Sequence, residues 1–331
     1  MIQNGHLEQI PEKRLLLFSG RGYPELAESI ADRLDISLGN VHLESFSGGE
    51  VYARYEQSIR GSDVFIVQSL GEPVNQNLME LLVMIDAAKR ASAESIVAVI
   101  PWFAYSRQDR KTKPREPITA RLVASMIRVA GANRVMTMDL HVGQIEGFFS
   151  TPVDHLTAMH TFVDHFSGQG LREAEDAVVV APDVGEAKVA NRLADHLGLT
   201  WAIVNKVRRQ PGQSEVTHVI GDVDGKRVIL IDDLIDTAGT LVKAAESLLN
   251  CGATEVYAAA THPVFSGPAY ERIEGSPIKE VVVTDTLPLK RDKPRNKIRV
   301  LTIAPILAAT IRNVFSDDSV SEVFMGENQL F

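Results

Sequence analysis

The chain reads as an α/β protein of two domains, each a mostly parallel sheet with helices on both faces. Three observations predict this. Short runs that are apolar at nearly every position alternate with helix-like segments along the chain. That is the pattern of parallel strands buried on both faces and joined by crossover helices. The length, 331 residues, is enough for two cores. Finally, FIVQS followed by NLMELLVMIDAAKRASAESIVAVIPWF is similar to LIDD followed by TLVKAAESLLNCGATEVYAAATHPVF. Both run strand, loop, long helix, Ala-containing turn, strand, Pro, aromatic. Either all βαβ units look alike, or the two halves are related domains with an acidic Thr/Gly loop kept only in the second.

The elements follow in order. RLLLFSG (14–20) reads as a strand and PELAESIADRL (24–34) as the helix after it. DVFIVQS (63–69) is the next strand, followed by a helix over 77–91 and the strand SIVAVIPWF (95–103). RVMTMDLH (134–141) is a strand ending in Asp139 and His141. The boundary falls near GFFSTPVDHLTA, giving domains 1–157 and 158–331. AVVVAP (177–182), the helix EAKVANRLADHLG (186–198) and WAIVNKV (201–207) open the second domain. RVILIDD (227–233), the helix TLVKAAESLLNCG (240–252) and EVYAAATHPVF (255–265) continue it. The last helix of the chain is expected to pack back on the first domain.

Composition narrows the function classes. A net charge of −9 argues against a broad nucleic-acid surface, so any basic cluster matters locally. The single cysteine, Cys251, excludes an intramolecular disulfide framework and a cysteine-rich metal site. MIQNGHLEQIPEKR is polar where a signal peptide is apolar, and no apolar run approaches the roughly 18 residues of a membrane span. The expectation is a soluble cytoplasmic protein with neither membrane nor nucleic-acid partners.

VILIDDLIDTAGTL (228–241) carries the most chemistry. An apolar strand ends in Asp232 and Asp233, and the turn Asp236, Thr237, Ala238, Gly239, Thr240 opens a helix. Ligands of open α/β sheets bind beyond the carboxyl ends of strands. Backbone N–H groups at a helix start can surround an anion, Gly239 permits close approach, and the two Thr hydroxyls add donors. Carboxylates repel phosphate, so Asp232 and Asp233 serve another part of the ligand, namely neighbouring sugar hydroxyls. The composite ligand is a sugar phosphate. Neither a G-x-x-x-x-G-K-[ST] loop nor G-x-G-x-x-G is present.

Three further segments allow two readings on chemistry alone. SRQDRKTKPRE (106–116) packs five basic residues into a loop of an acidic protein. It is either a solvated loop or a cationic lid over a polyphosphate. His141 is either structural or a ligand. Lys206, Arg208 and Arg209 begin the polar loop of WAIVNKVRRQPGQSEVTHVIGDV (201–223), which joins two strands.

VILIDDLIDTAGT resembles the signature of the phosphoribosyltransferase fold, a hydrophobic strand, two acids and a loop for the 5-phosphate of ribose. FSGGEVYAR (46–54), IPWFAYSRQDRK (100–111), REPITARLVA (115–124), DLHVGQIEGFF (139–149), APDVGEAK (181–188) and THPVFSGPA (261–269) resemble ribose-phosphate diphosphokinases in order and spacing. The resemblance implies that ATP and ribose 5-phosphate give AMP and 5-phosphoribosyl 1-diphosphate. It places Phe46, Gly48, Gly49, Glu50, Arg107 and Gln108 on ATP, with Phe46 stacking on adenine from a neighbouring subunit. It places Arg208, Asp232, Asp233, Asp236, Thr237, Ala238, Gly239 and Thr240 on ribose 5-phosphate. His141 and Asp183 match its metal-site residues for Mg²⁺, and Lys206 and Arg208 its catalytic pair. It also implies a homo-oligomer, commonly a hexamer, with phosphate and ADP as effectors. The family usually has Asp where Gly48 stands and a second glycine where Glu186 stands. A carboxylate at 186 would be unfavourable towards diphosphate unless it points away or meets the metal. Two rival readings are a phosphoribosyltransferase that consumes the diphosphate, which needs no ATP, and a non-catalytic regulatory paralogue.

Overall fold

The computed structural model describes residues 13–207 and 216–321. The first half contains β1 (Leu15–Ser19), α1 (Pro24–Leu34), β2 (Val41–Ser45), β3 (Val51–Tyr55) and β4 (Asp63–Val67). α2 (Val74–Arg90), β5 (Ser95–Ile100), α3 (Thr119–Ala130), β6 (Arg134–Met138) and β7 (Val153–Leu156) follow. Five strands form a fully parallel sheet in the order β1-β4-β5-β6-β7. β2 and β3 form a separate antiparallel hairpin.

The second half runs α4 (Met159–Gly168), β8 (Ala177–Ala181), α5 (Ala187–Leu197), β9 (Thr200–Val207), β10 (Val216–Ile220) and β11 (Arg227–Ile235). α6 (Gly239–Asn250), β12 (Glu255–Pro263), α7 (Ala269–Gly275), β13 (Glu280–Thr284), β14 (Ile298–Leu301) and α8 (Ala304–Phe315) complete it. Its sheet has the order β10-β9-β8-β11-β12-β13-β14, antiparallel only between β9 and β10.

Alternation along the strands explains the continuous apolar runs. Phe65 and Val67 of β4 enter one core, while Val64 and Ile66 enter another. Val179 of β8 joins the first core, and Val178 and Val180 join a third. That first core is shared between the halves. It gathers Leu17, Val97 and Met136 from one sheet, Ile229, Tyr257 and Val282 from the other, and apolar faces of α1, α4, α5 and α8. α2 and α3 cover the opposite face of the first sheet, and α6 and α7 that of the second. Fully burying one Leu or Ile contributes about 1.5–3 kcal/mol, so the halves are joined by a packed layer and not merely by chain. α8 packs on α1, where the Arg312 guanidinium donates to the Arg33 carbonyl at 3.1 Å. No described helix is long and apolar enough to cross a membrane.

Candidate active site

A cavity of about 520 Å³ opens where β6, α5 and β11 come together. Its wall includes Asp139, His141, Glu186, Lys188, Asp232 and Asp233. One expectation needs correction here. The strand does not end in Asp232 and Asp233 but runs two residues beyond them, to Ile235. Pairing with β12 continues to Ile235 opposite Pro263, which carries the strand past both acids.

Glu186, Asp232 and Asp233 each present an oxygen within 4.8 Å of the others. Three carboxylates so close cannot all be ionised without a cation. Burial and the neighbouring Asp233 push Asp232 well above the usual carboxylate range. Burial, with Asp233 and Asp183 nearby, pushes Glu186 up to about 8. Asp233 goes the other way. Burial opposes its charge, but His141 Nδ1 lies 2.6 Å from Asp233 Oδ2 and holds it below the usual range. The same hydrogen bond raises His141, against the effect of burial. This all-oxygen set, short of positive charge, fits a hard divalent cation such as Mg²⁺.

The surrounding groups hold the wall in place. Asp139 has φ +26° and accepts at Oδ2 from the Ala158 N–H at 2.9 Å and from Thr261 Oγ1 at 2.6 Å. Its carbonyl is 3.0 Å from His262 Nε2. Asp139 therefore clamps the end of β6 to β12. His155 accepts the Leu140 N–H at 2.9 Å, and burial lowers it to about 4, so its ring is neutral.

The turn Asp236–Thr240 sits just past β11. Ala238 is left-handed at φ 59°, and Gly239 starts α6. The first N–H groups of that helix have no intrahelical partner and, with the helix dipole, suit an anion. Thr237 and Thr240 are exposed. The Asp236 carboxylate accepts from Ser266 Oγ and pairs with Arg107 Nη1 at 2.6 Å. Arg107 thus ties the basic loop between β5 and α3 to this turn. Gln108 fastens the same loop to α3, accepting from Thr119 Oγ1 at 2.5 Å.

Other expected residues stand apart. Asp183 is exposed and accepts the Gly185 N–H at 2.8 Å, outside the three-acid group. Phe46, half-exposed at 51%, sits with Gly48, Gly49 and Glu50 at the β2–β3 tip, and none of them lines the cavity. Gly49 has φ +89°, which favours glycine, whereas a side chain at 48 would meet open space. The Gly48 departure is therefore chemical and not steric. Lys206 lies in β9 opposite Thr217, and Arg208 lies outside the described residues. Sequence reasoning missed Arg272, whose guanidinium donates to the Thr237 carbonyl at 2.9 Å, and the Asp139–Thr261–His262 clamp. The Pro-flanked THPVF segment was the one available signal for the clamp.

A family profile for the N-terminal domain of ribose phosphate pyrophosphokinase matches residues 15–131, and one for the phosphoribosyl synthetase-associated domain matches residues 207–325. The ribose-phosphate pyrophosphokinase of Clostridium acetobutylicum is 50% identical over 315 residues, covering 95% of this chain and 98% of that protein. That of Caldanaerobacter subterraneus subsp. tengcongensis is 52% identical over 310 residues, covering 94% and 98%. The crystal structure of phosphoribosylpyrophosphate synthetase from Mycobacterium smegmatis is similar with a TM-score of 0.88 at 46% identity, covering 92% of this chain and 100% of that one. A parallel two-sheet frame, an acidic cavity beside an anion turn, and relatives spanning both halves agree: the chain belongs to the ribose-phosphate pyrophosphokinase family.

Proposed function

We propose that the chain transfers the β,γ-diphosphoryl group of ATP to the 1-hydroxyl of ribose 5-phosphate, giving 5-phosphoribosyl 1-diphosphate and AMP. The observation that carries this reading is near-full-length identity of about half to ribose-phosphate pyrophosphokinases, across both halves of the chain.

The 1–157 half serves the ATP side and the 158–331 half the sugar. The turn Asp236–Thr240 takes the 5-phosphate. Asp232 and Asp233 accept from ring hydroxyls, with Asp233 kept charged by His141. Glu186, Asp232 and Asp233, beside His141 and Asp183, are the residues that would hold Mg²⁺, which neutralises phosphate charge when bound. Lys206 and Arg208 close over the transferring group and stabilise its negative charge. Arg107 and Gln108 serve ATP. By the family resemblance, the hairpin residues Phe46, Gly48, Gly49 and Glu50 reach the ATP of a neighbouring copy. By the same resemblance, the working form is a homo-oligomer, a hexamer, with phosphate and ADP as effectors, and it works in the cytoplasm.

Phosphorus NMR of the chain with Mg²⁺, ATP and ribose 5-phosphate tests the reaction. AMP and a sugar 1-diphosphate are expected. ADP as product, or no turnover, overturns the reading.

A further inference from the structure

We propose that Arg272 is an additional binding residue for the 5-phosphate. The proposal rests on reading Asp236–Thr240 as the turn for that phosphate. Arg272 lies in α7, behind the turn. Nη1 donates to the Thr237 carbonyl at 2.9 Å and would stand 3.3 Å from a Cβ placed on Gly239. The guanidinium therefore covers the turn at two of its residues.

Its charge is left over. The flanking acids are engaged elsewhere, Glu271 with Lys293 at 2.6 Å and Glu274 with the Asn296 N–H at 2.7 Å. Asp236, the carboxylate of the turn itself, is held by Ser266 and Arg107. Among the described residues no carboxylate pairs with Arg272, although the chain carries a net charge of −9. A guanidinium has five N–H donors in a planar fork that suits phosphate oxygens. Here Thr237 engages one group, and the exposed remainder faces solvent beside an anion turn. The support is firm. Ala269, Tyr270 and Ile273 of α7 are buried, and the Tyr270 hydroxyl accepts the Lys290 N–H at 2.9 Å. Arg272 thus anchors the turn with one donor and offers the others to the ligand.

Steady-state kinetics of the full chain with Arg272→Gln and Arg272→Lys tests this. Gln keeps a polar amide of shorter reach and removes the charge. The expected result for Arg272→Gln is a KM for ribose 5-phosphate raised about tenfold or more, the scale of one lost charged hydrogen bond. KM for ATP and kcat stay within about twofold, and Arg272→Lys recovers part of the loss. An unchanged KM for the sugar phosphate in Arg272→Gln overturns the proposal, as does an equal shift in both KM values with a falling kcat. If Arg272→Gln does not fold, Arg272→Lys decides: a lysine that keeps charge but loses the planar fork raises only the sugar-phosphate KM, and a wild-type value there overturns the proposal. The wild-type chain is the control for the reaction itself. Failure to form AMP and sugar diphosphate sinks the functional reading; a normal wild type with unaltered variants sinks only the role of Arg272.

Discussion

Replacing His141 with Asn should destabilise the metal-free protein at pH 6 and leave it nearly unchanged at pH 9. His141 Nδ1 and Asp233 Oδ2 are 2.6 Å apart. Their hydrogen bond raises His141 above the ordinary imidazole value of about 6.5. A group raised in the folded state contributes stability that is fully present below its unfolded pKa and lost as pH climbs through the folded one. Asp233 is depressed by the same bond, burial notwithstanding, so its contribution is present above about pH 4 and lost as pH falls through its folded value. The pair therefore contributes fully between about pH 4 and 6.5 and fades on the alkaline side. A hydrogen bond to a charged group is worth about 1.5–3 kcal/mol. With the side chains 32% and 10% exposed, screening reduces this to about 1–2 kcal/mol. The Asn amide nitrogen stands at the position of Nδ1, so Asn keeps a neutral donor and removes the charge. Thermal melts in EDTA should show the variant about 2–5 °C lower at pH 6. A gap of equal size at pH 6 and pH 9 would refute the reasoning.

Three further outcomes are expected. Glu186→Gln removes a carboxyl group raised to about 8, so Mg²⁺ binding at pH 7.5 should release about one proton fewer than in the wild type. Calorimetry in buffers of different ionisation enthalpy measures this, and equal release would contradict the membership of Glu186 in the acid group. Asp236→Asn breaks an ion pair whose arginine is 50% exposed, so stability should fall by no more than about 1 kcal/mol. The same variant frees the turn from the basic loop and should raise KM for ribose 5-phosphate severalfold; a large stability loss with an unaltered KM would count against it. Glu80 is fully buried and accepts from the Arg21 N–H at 2.6 Å and Gln68 Nε2 at 3.1 Å. Glu80→Ala should therefore cost about 3 kcal/mol in urea unfolding, and a loss below about 1 kcal/mol would show that these donors find other partners.

The strands buried on both faces were legible because short apolar runs without polar alternation, bounded by turn residues and separated by helix-length segments, suit strands covered on both sides. AVVVA and DVFIV are buried at every position. The β2–β3 hairpin was not legible. VHLES alternates over only four residues and VYARY does not alternate, so the period-2 signal is too short to mark a strand pair. The end of β11 was misplaced because two acids look like the end of an apolar run, whereas backbone pairing with β12 continues beneath them. In the site, Asp232, Asp233 and the Thr/Gly turn were visible because charge and glycine interrupt that run. What Glu186 meets was not visible. Glu186 caps the start of α5 while Asp232 and Asp233 lie in β11, and only packing brings the three oxygens together. Arg272 was missed for the same reason, since its hydrogen bond to the turn spans 35 positions of sequence.

The central claim is that the group leaving ATP is a diphosphoryl group and that the sugar receives it. ATP labelled at the β-phosphorus, incubated with Mg²⁺, ribose 5-phosphate and the chain, tests this directly. The label should leave the nucleotides and enter the sugar product as AMP accumulates in equal amount. Label retained in ADP, or ATP left unconsumed, would contradict the account.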